Sequence, residues 1–200
     1  MRWVIVDGID GSGKSTIALM IKEYYEERGE SVYLGIHPSD RWLGRIARRA
    51  LQGSGRIMHI IVSVFFLMDV LRSLGLLRRI RGRYQMVIFV RYLMATAYMP
   101  GRLAKISYDF FSRLLPVPDR LLLVDTDPQV AMDRIAKRED AREMFEDLPR
   151  LTRIREKALS LAGSDWEILD NNASMELSRK QLERVLSAWD SRDNGNDPPP

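Results

Sequence analysis

The chain has 200 residues, 46% of them hydrophobic, with 31 Lys and Arg against 27 Asp and Glu and a net charge of +4. That is length enough for one domain with a sizeable core, and the absence of cysteine excludes a disulfide framework and a thiolate metal centre. The small basic excess suits side chains aimed at phosphates and requires no nucleic-acid partner.

In chain order, Arg2 to Val6 reads as a buried strand. The chain enters that strand at once, so no signal or transit peptide is expected. A glycine-rich turn follows, then a helix from Lys14 to Arg28 ended by Gly29. Ser31 to Ile36 reads as the second strand and His37 to Asp40 as a turn. Helices are expected over Arg41 to Leu51 and from Ile57 to about Ile80, separated by the loop Gln52 to Gly55. The second is strongly apolar, but it contains His59, Asp69, Arg72 and Gly75. A charge at a bilayer centre costs about 2.5–3.5 kcal/mol on insertion scales, so a core or interface helix is expected there and no stable membrane insertion.

After the basic turn at Arg81 to Arg83, Met86 to Val90 is a continuous apolar strand. A helix is expected over Ala95 to Leu114, closed by Pro116 and Pro118. Leu121 to Val124 is the fourth strand, and Pro128 opens a helix to Lys137. A charged stretch leads to a helix from Pro149 to Ala162. Trp166 to Leu169 is the last strand and Ser174 to Trp189 the last helix. Residues 191–200, polar and ending in three prolines, read as a disordered tail. Short apolar strands alternating with helices predict an α/β fold, a parallel five-stranded sheet with helices on both faces, as one domain over residues 1–190. Ligands of such sheets sit at the carboxyl ends of the strands.

The turn Gly8-Ile9-Asp10-Gly11-Ser12-Gly13-Lys14-Ser15-Thr16 lies at such an end, between strand and helix. Gly, four residues, Gly, Lys, Ser is the phosphate-loop pattern. Its backbone N–H groups wrap a phosphate chain, its lysine reaches the outer phosphates, and its serine hydroxyl binds Mg²⁺. The expected ligand is a nucleoside triphosphate held by residues 8–16, with Ser15 as metal ligand.

Several further segments, in order, make the chain resemble the thymidylate kinase family of nucleoside-monophosphate kinases. They are the phosphate loop with its internal Asp10, Asp125-Thr126-Asp127-Pro128-Gln129-Val130-Ala131 followed by Arg134, the stretch Arg138 to Glu146, and Asp170-Asn171-Asn172 followed by Met175-Glu176. The resemblance implies a three-layer P-loop kinase fold with a small lid near residues 138–147. It also implies ATP and Mg²⁺ as cofactors and transfer of the γ-phosphate to a nucleoside monophosphate, thymidylate by resemblance. It further implies a homodimer with small nucleotides as ligands, and the absence of cysteine fits a cytoplasmic protein.

The acceptor side departs from that pattern. Where the family carries Asp-Arg-Tyr after the third strand, this chain has Val90-Arg91-Tyr92. Where it carries Thr-Arg-Glu-Pro, this chain has Gly35-Ile36-His37-Pro38; for Ala-Ala-Asp-Arg it has Leu67-Met68-Asp69-Val70. Leu93-Met94-Ala95 replace polar residues that frame the base. Other readings therefore stand beside a thymidylate kinase: a paralogue with another small acceptor, or a nucleotide binder without turnover.

The residues expected to carry transfer are Lys14, Asp10, Arg91, Arg138 and Arg142, with His37, Asp69, Arg91 and Tyr92 toward the acceptor. Asp10 either meets an acceptor hydroxyl or is a carboxylate favoured by the helix dipole. Arg91 either grips the acceptor phosphate or is a solvated strand-end arginine. Tyr92 either stacks on the acceptor or packs in the core. Arg138 and Arg142 either close over the transferred charge or form a solvated charged face. Asp7 and Asp125 are alternatives for the missing strand-three aspartate, Asp125 with a structural role as the first reading.

Overall fold

Alternation along each strand sends successive side chains to opposite faces, and here both faces are apolar. Val4 and Val6, Met86, Ile88 and Val90, and Leu122 and Val124 enter one core cluster. Ile5, Val87, Phe89, Leu121 and Leu123 enter another. A sheet apolar on both sides must be covered on both sides, and it is. In the computed structural model, which describes residues 1–37, 82–137 and 147–193 with Gly75, Leu77, Arg79, Ile80 and Gly195, the strands are β1 (Arg2–Asp7), β2 (Val32–Ile36), β3 (Met86–Val90), β4 (Arg120–Asp125) and β5 (Glu167–Asp170). They form one sheet in the order β2-β3-β1-β4-β5, every pair parallel.

Among the described residues, five α-helices have both ends in view: α1 (Lys14–Glu26), α2 (Leu103–Leu114), α3 (Pro128–Ala136), α4 (Leu148–Ala162) and α5 (Met175–Asp193). α1 and α5 bury Ile17, Ile21, Tyr25, Leu182, Leu186 and Trp189 against one face. α3 and α4 bury Ala131, Ile135, Leu151, Ile154 and Ala158 against the other. Buried aliphatic and aromatic side chains of this kind contribute about 1.5–3 kcal/mol each. The helix starts follow their caps: Asp127 accepts from the Gln129 N–H ahead of Pro128, and Asp147 accepts from the Arg150 N–H.

Two expectations need correcting. The single helix from Ala95 to Leu114 is instead a 3-10 turn, Met94–Tyr98, followed by α2. Pro100 lacks the N–H a continuous helix needs and disfavours helical geometry at Met99, which is extended at ψ 148°. The last helix runs past Trp189 to Asp193, so the expected tail does not begin at residue 191. Arg120 binds Asp193 at its end, and Tyr25 donates to Asp190 at 2.9 Å. These contacts fix the helix beneath the sheet. The helix expected over Arg41 to Leu51, most of the apolar helix after it, and the lid over 138–146 lie outside the described residues.

Candidate active site at the carboxyl ends of the strands

β1 lies between β3 and β4, and its carboxyl end opens into the phosphate loop. Gly11 and Gly13 have φ of 78° and 86°, where L side chains are disfavoured. Space excludes a side chain as well. A Cβ on Gly11 would collide with the Ala131 carbonyl, and one on Gly13 would come 2.5 Å from Asn171 Nδ2. Gly13 caps α1 without a side chain, and the first turn of α1 carries no acidic residue. The amino end of the helix is therefore open to an anion.

The loop is braced directly by the segments that follow β4 and β5. Thr126 Oγ1 donates to the Ser12 carbonyl at 3.2 Å and Asn171 Nδ2 donates to it at 2.7 Å. Ser178 Oγ in turn donates to Asn171 Oδ1 at 2.7 Å. Arg134 Nη2 donates to the Asn171 carbonyl at 2.8 Å. Its Nη1 is buried without a hydrogen-bond partner, 3.8 Å from where a Cβ on Gly13 would stand. Ser12 Oγ is buried and unpartnered too. Unpaired buried polar atoms are costly, and two beside a cradle too tight for a Cβ fit a bound triphosphate.

Asp10 is the centre of the site. It is buried and meets Arg91 Nη2 at 2.5 Å and Lys14 Nζ at 3.3 Å. Tyr98 donates its hydroxyl to Asp10 Oδ2 at 2.8 Å and accepts from the Asp10 N–H at 3.1 Å. Burial alone would raise the Asp10 pKa. The Arg91 and Lys14 cations and the Tyr98 hydrogen bond outweigh it and hold the carboxyl well below the usual range. Burial, with Arg91 next to it, lowers Lys14 to about 8 against the pull of Asp10 and Asp7. Lys14 also donates to the Ile9 carbonyl at 2.9 Å.

Arg91 has φ 60°, the one non-glycine residue with positive φ among those described. That turn lifts its side chain off the end of β3 toward the loop. Asp7 holds the next segment: Oδ2 accepts the N–H groups of Tyr92, Leu93 and Met94 at 2.9, 2.9 and 3.0 Å. Burial raises the Asp7 pKa against those three bonds. They start the 3-10 turn that carries Tyr98 back to Asp10.

The acceptor-side residues are placed unevenly. Arg91 joins the loop as expected. His37 is buried, and its carbonyl, not its ring, meets Arg91 Nη1 at 3.4 Å. Its ring packs 5.4 Å from Phe89. Tyr92 is in the core, stacked at 6.0 Å on Phe89, with its hydroxyl donating to the Pro116 carbonyl. It does not stack over the acceptor site. Asp69, Arg138 and Arg142 lie outside the described residues. Tyr98, Asn171 and Thr126 acquire site roles that residue type and spacing did not assign them.

The fit to Mg²⁺ rests on Ser15. It is partly exposed in the first turn of α1, and its hydroxyl has no hydrogen-bond partner among the described residues. The nearby carboxylates are engaged. Asp7 serves the 3-10 turn, Asp10 serves Arg91 and Lys14, and Asp125 takes a two-point ion pair from Arg155 at 2.7 and 2.7 Å. Val90, where the family has aspartate, is fully buried. No group of three metal-binding side chains occurs among the described residues.

Comparison with known proteins agrees with this geometry. The sequence model of the family described as thymidylate kinase matches residues 6–182. A probable thymidylate kinase of Archaeoglobus fulgidus is 27% identical over 192 residues, 93% of this chain and 95% of the relative. One of Pyrobaculum aerophilum is 31% identical over 176 residues, 85% and 88% of the two chains. The solved structure of thymidylate kinase from Candida albicans, 17% identical, superposes with a TM-score of 0.71 over 94% of this chain and 92% of that one, which establishes the P-loop kinase fold. The chain belongs to the thymidylate kinase family.

Proposed function

We propose that the protein transfers the γ-phosphate of ATP to thymidine monophosphate. The observation that carries this reading is the shared carboxylate. Lys14 from the donor loop and Arg91 from the end of β3 both bind Asp10. Two cations from the donor and acceptor sides are thus held next to each other by one anion. Phosphates drawn to each of them come to rest side by side, and positioning of this kind is most of what phosphoryl transfer needs.

The loop N–H groups over residues 11–16 and Lys14 receive the triphosphate, with Arg134 Nη1 and Ser12 Oγ as further donors. Arg91 grips the acceptor phosphate. Asp10, ionised and fixed by Tyr98, accepts from an acceptor hydroxyl while holding both cations in place. Mg²⁺, when bound with ATP at Ser15, supplies charge neutralisation on the phosphates. Arg138 and Arg142 close from the lid, and His37 and Asp69 border the acceptor. The active form is a homodimer of the cytoplasm that takes small nucleotides and no nucleic acid. No helix among the described residues is long and apolar enough to cross a membrane.

A coupled ADP-release assay over a panel of nucleoside monophosphates tests the reading. Turnover of thymidine monophosphate above the others, abolished by Lys14→Ala, is expected. ATP binding with no turnover of any monophosphate would overturn it. Light scattering of the purified chain checks the dimer.

A further inference from the structure

α2 is amphipathic twice over. Its inner side is committed: Ala104 is buried, and Tyr108 and Phe111 pack against the core cluster. Its outer side carries Leu103, Ile106, Phe110 and Leu114, exposed by 53, 61, 58 and 58%. Spacings of three and four residues set these four side chains in one row. Arg102 and Arg113, both exposed, border the row, four and three residues from Ile106 and Phe110. Lys105 and Asp109 pair with each other at 3.4 Å and offset each other's charge. Scattered exposed apolar residues are ordinary, but a contiguous row is not.

Two occupants suit an apolar row, and charge and area choose between them. A second copy paired helix to helix would bring the same two arginines, Arg102 and Arg113, toward each other. The row alone also offers a few hundred Å², short of the about 800 Å² per partner of a stable interface. A surface that is apolar below and anionic above matches both halves of the helix. From this we propose that the outer face of α2 docks on an anionic lipid surface. The row Leu103, Ile106, Phe110 and Leu114 enters the acyl boundary, and Arg102 and Arg113 meet lipid phosphates. α2 lies flat over its length of about 18 Å, keeping its inner side in the core. The net charge of +4 adds attraction at longer range. This contact is independent of the phosphate loop and of the acceptor.

The test is flotation of the full chain with phosphatidylcholine vesicles, with and without phosphatidylglycerol. Binding only to the phosphatidylglycerol vesicles, weakened by salt, is expected. Ile106→Ser with Phe110→Ser weakens it about tenfold or more. Arg102→Glu and Arg113→Glu together abolish it. Both variants keep the parent unfolding midpoint and ATP affinity, since the changed side chains are exposed and away from the loop. Failure to float with the anionic vesicles overturns the proposal, and so does equal flotation of the variants. A dimer that Phe110→Ser dissociates, with no vesicle binding, assigns the face to a second copy and overturns it as well.

Discussion

Arg91 binds Asp10 across 81 residues of sequence, and it does so from a backbone turned to φ 60°. Arginine gains nothing locally from that conformation, which is sparsely populated for side chains with a Cβ. The ion pair and the neighbouring bonds hold it there. The site thus stores backbone strain at the residue that joins the acceptor strand to the donor loop.

Strain and function separate by substitution. Arg91→Ala keeps the unfavourable φ and loses the guanidinium. Arg91→Gly loses the guanidinium and relaxes the backbone. The glycine variant is expected to be more stable than the alanine variant by about 1 kcal/mol, read from unfolding midpoints in denaturant. Both are expected to lose roughly 10²-fold or more in kcat/KM for the acceptor. Equal stability of the two would remove the strain.

Much of this is legible in the sequence. The apolar strands and their order along the chain follow from continuous runs such as Met86 to Val90, because a strand buried on both faces cannot hide its composition. The phosphate loop follows from glycines whose conformation and contacts admit no side chain. The fate of Tyr92 and Tyr98 did not follow. Both are tyrosines near the end of β3, and nothing in the sequence says that the Asp7 carboxylate gathers three successive N–H groups there. That local turn sends Tyr92 into the core and returns Tyr98 to Asp10. Pro100 is the signal for the break between the 3-10 turn and α2, and it marks the end of the turn at Met99.

Tyr98→Phe removes one hydroxyl that both donates to and accepts from Asp10. The buried Asp10 N–H and carboxylate each lose a partner, which costs about 1–3 kcal/mol. Acceptor KM is expected to rise more than ATP KM, since Asp10 keeps Lys14 and Arg91 but loses the hydroxyl that fixes the carboxylate oxygen offered to the acceptor. Steady-state kinetics with each substrate varied in turn reads the difference. Equal changes in both constants would place Tyr98 in general packing alone.

Lys14 gives the site a pH dependence with a definite sign. Burial and Arg91 lower its pKa to about 8 from an ordinary 10.5. Between those values the unfolded chain holds the proton and the folded chain does not, so this group makes the nucleotide-free protein gain stability as pH rises through the window. Nucleotide affinity runs the other way. A neutral Lys14 binds phosphate poorly, and a bound triphosphate restores its charge. ATP affinity is expected to fall above about pH 8, with proton uptake on binding. Calorimetry in buffers of different ionisation enthalpy measures that uptake, and binding without it near pH 8.5 would contradict a lowered Lys14.

Asp125 separates structure from metal binding. Its two-point pair with Arg155 ties the end of β4 to α4, and both side chains are partly shielded, 15% and 30% exposed. Charge-assisted two-point pairs exceed simple surface ion pairs, so Asp125→Asn is expected to cost about 1–2 kcal/mol in unfolding free energy. Arg155→Lys costs nearly as much, because an ammonium cannot span both oxygens. Turnover by either variant, measured well below its unfolding midpoint, is expected to stay within a few-fold of the parent. If Asp125→Asn instead needs much more Mg²⁺ for the same nucleotide affinity while Arg155→Lys does not, Asp125 is the carboxylate that stands in for the aspartate replaced by Val90.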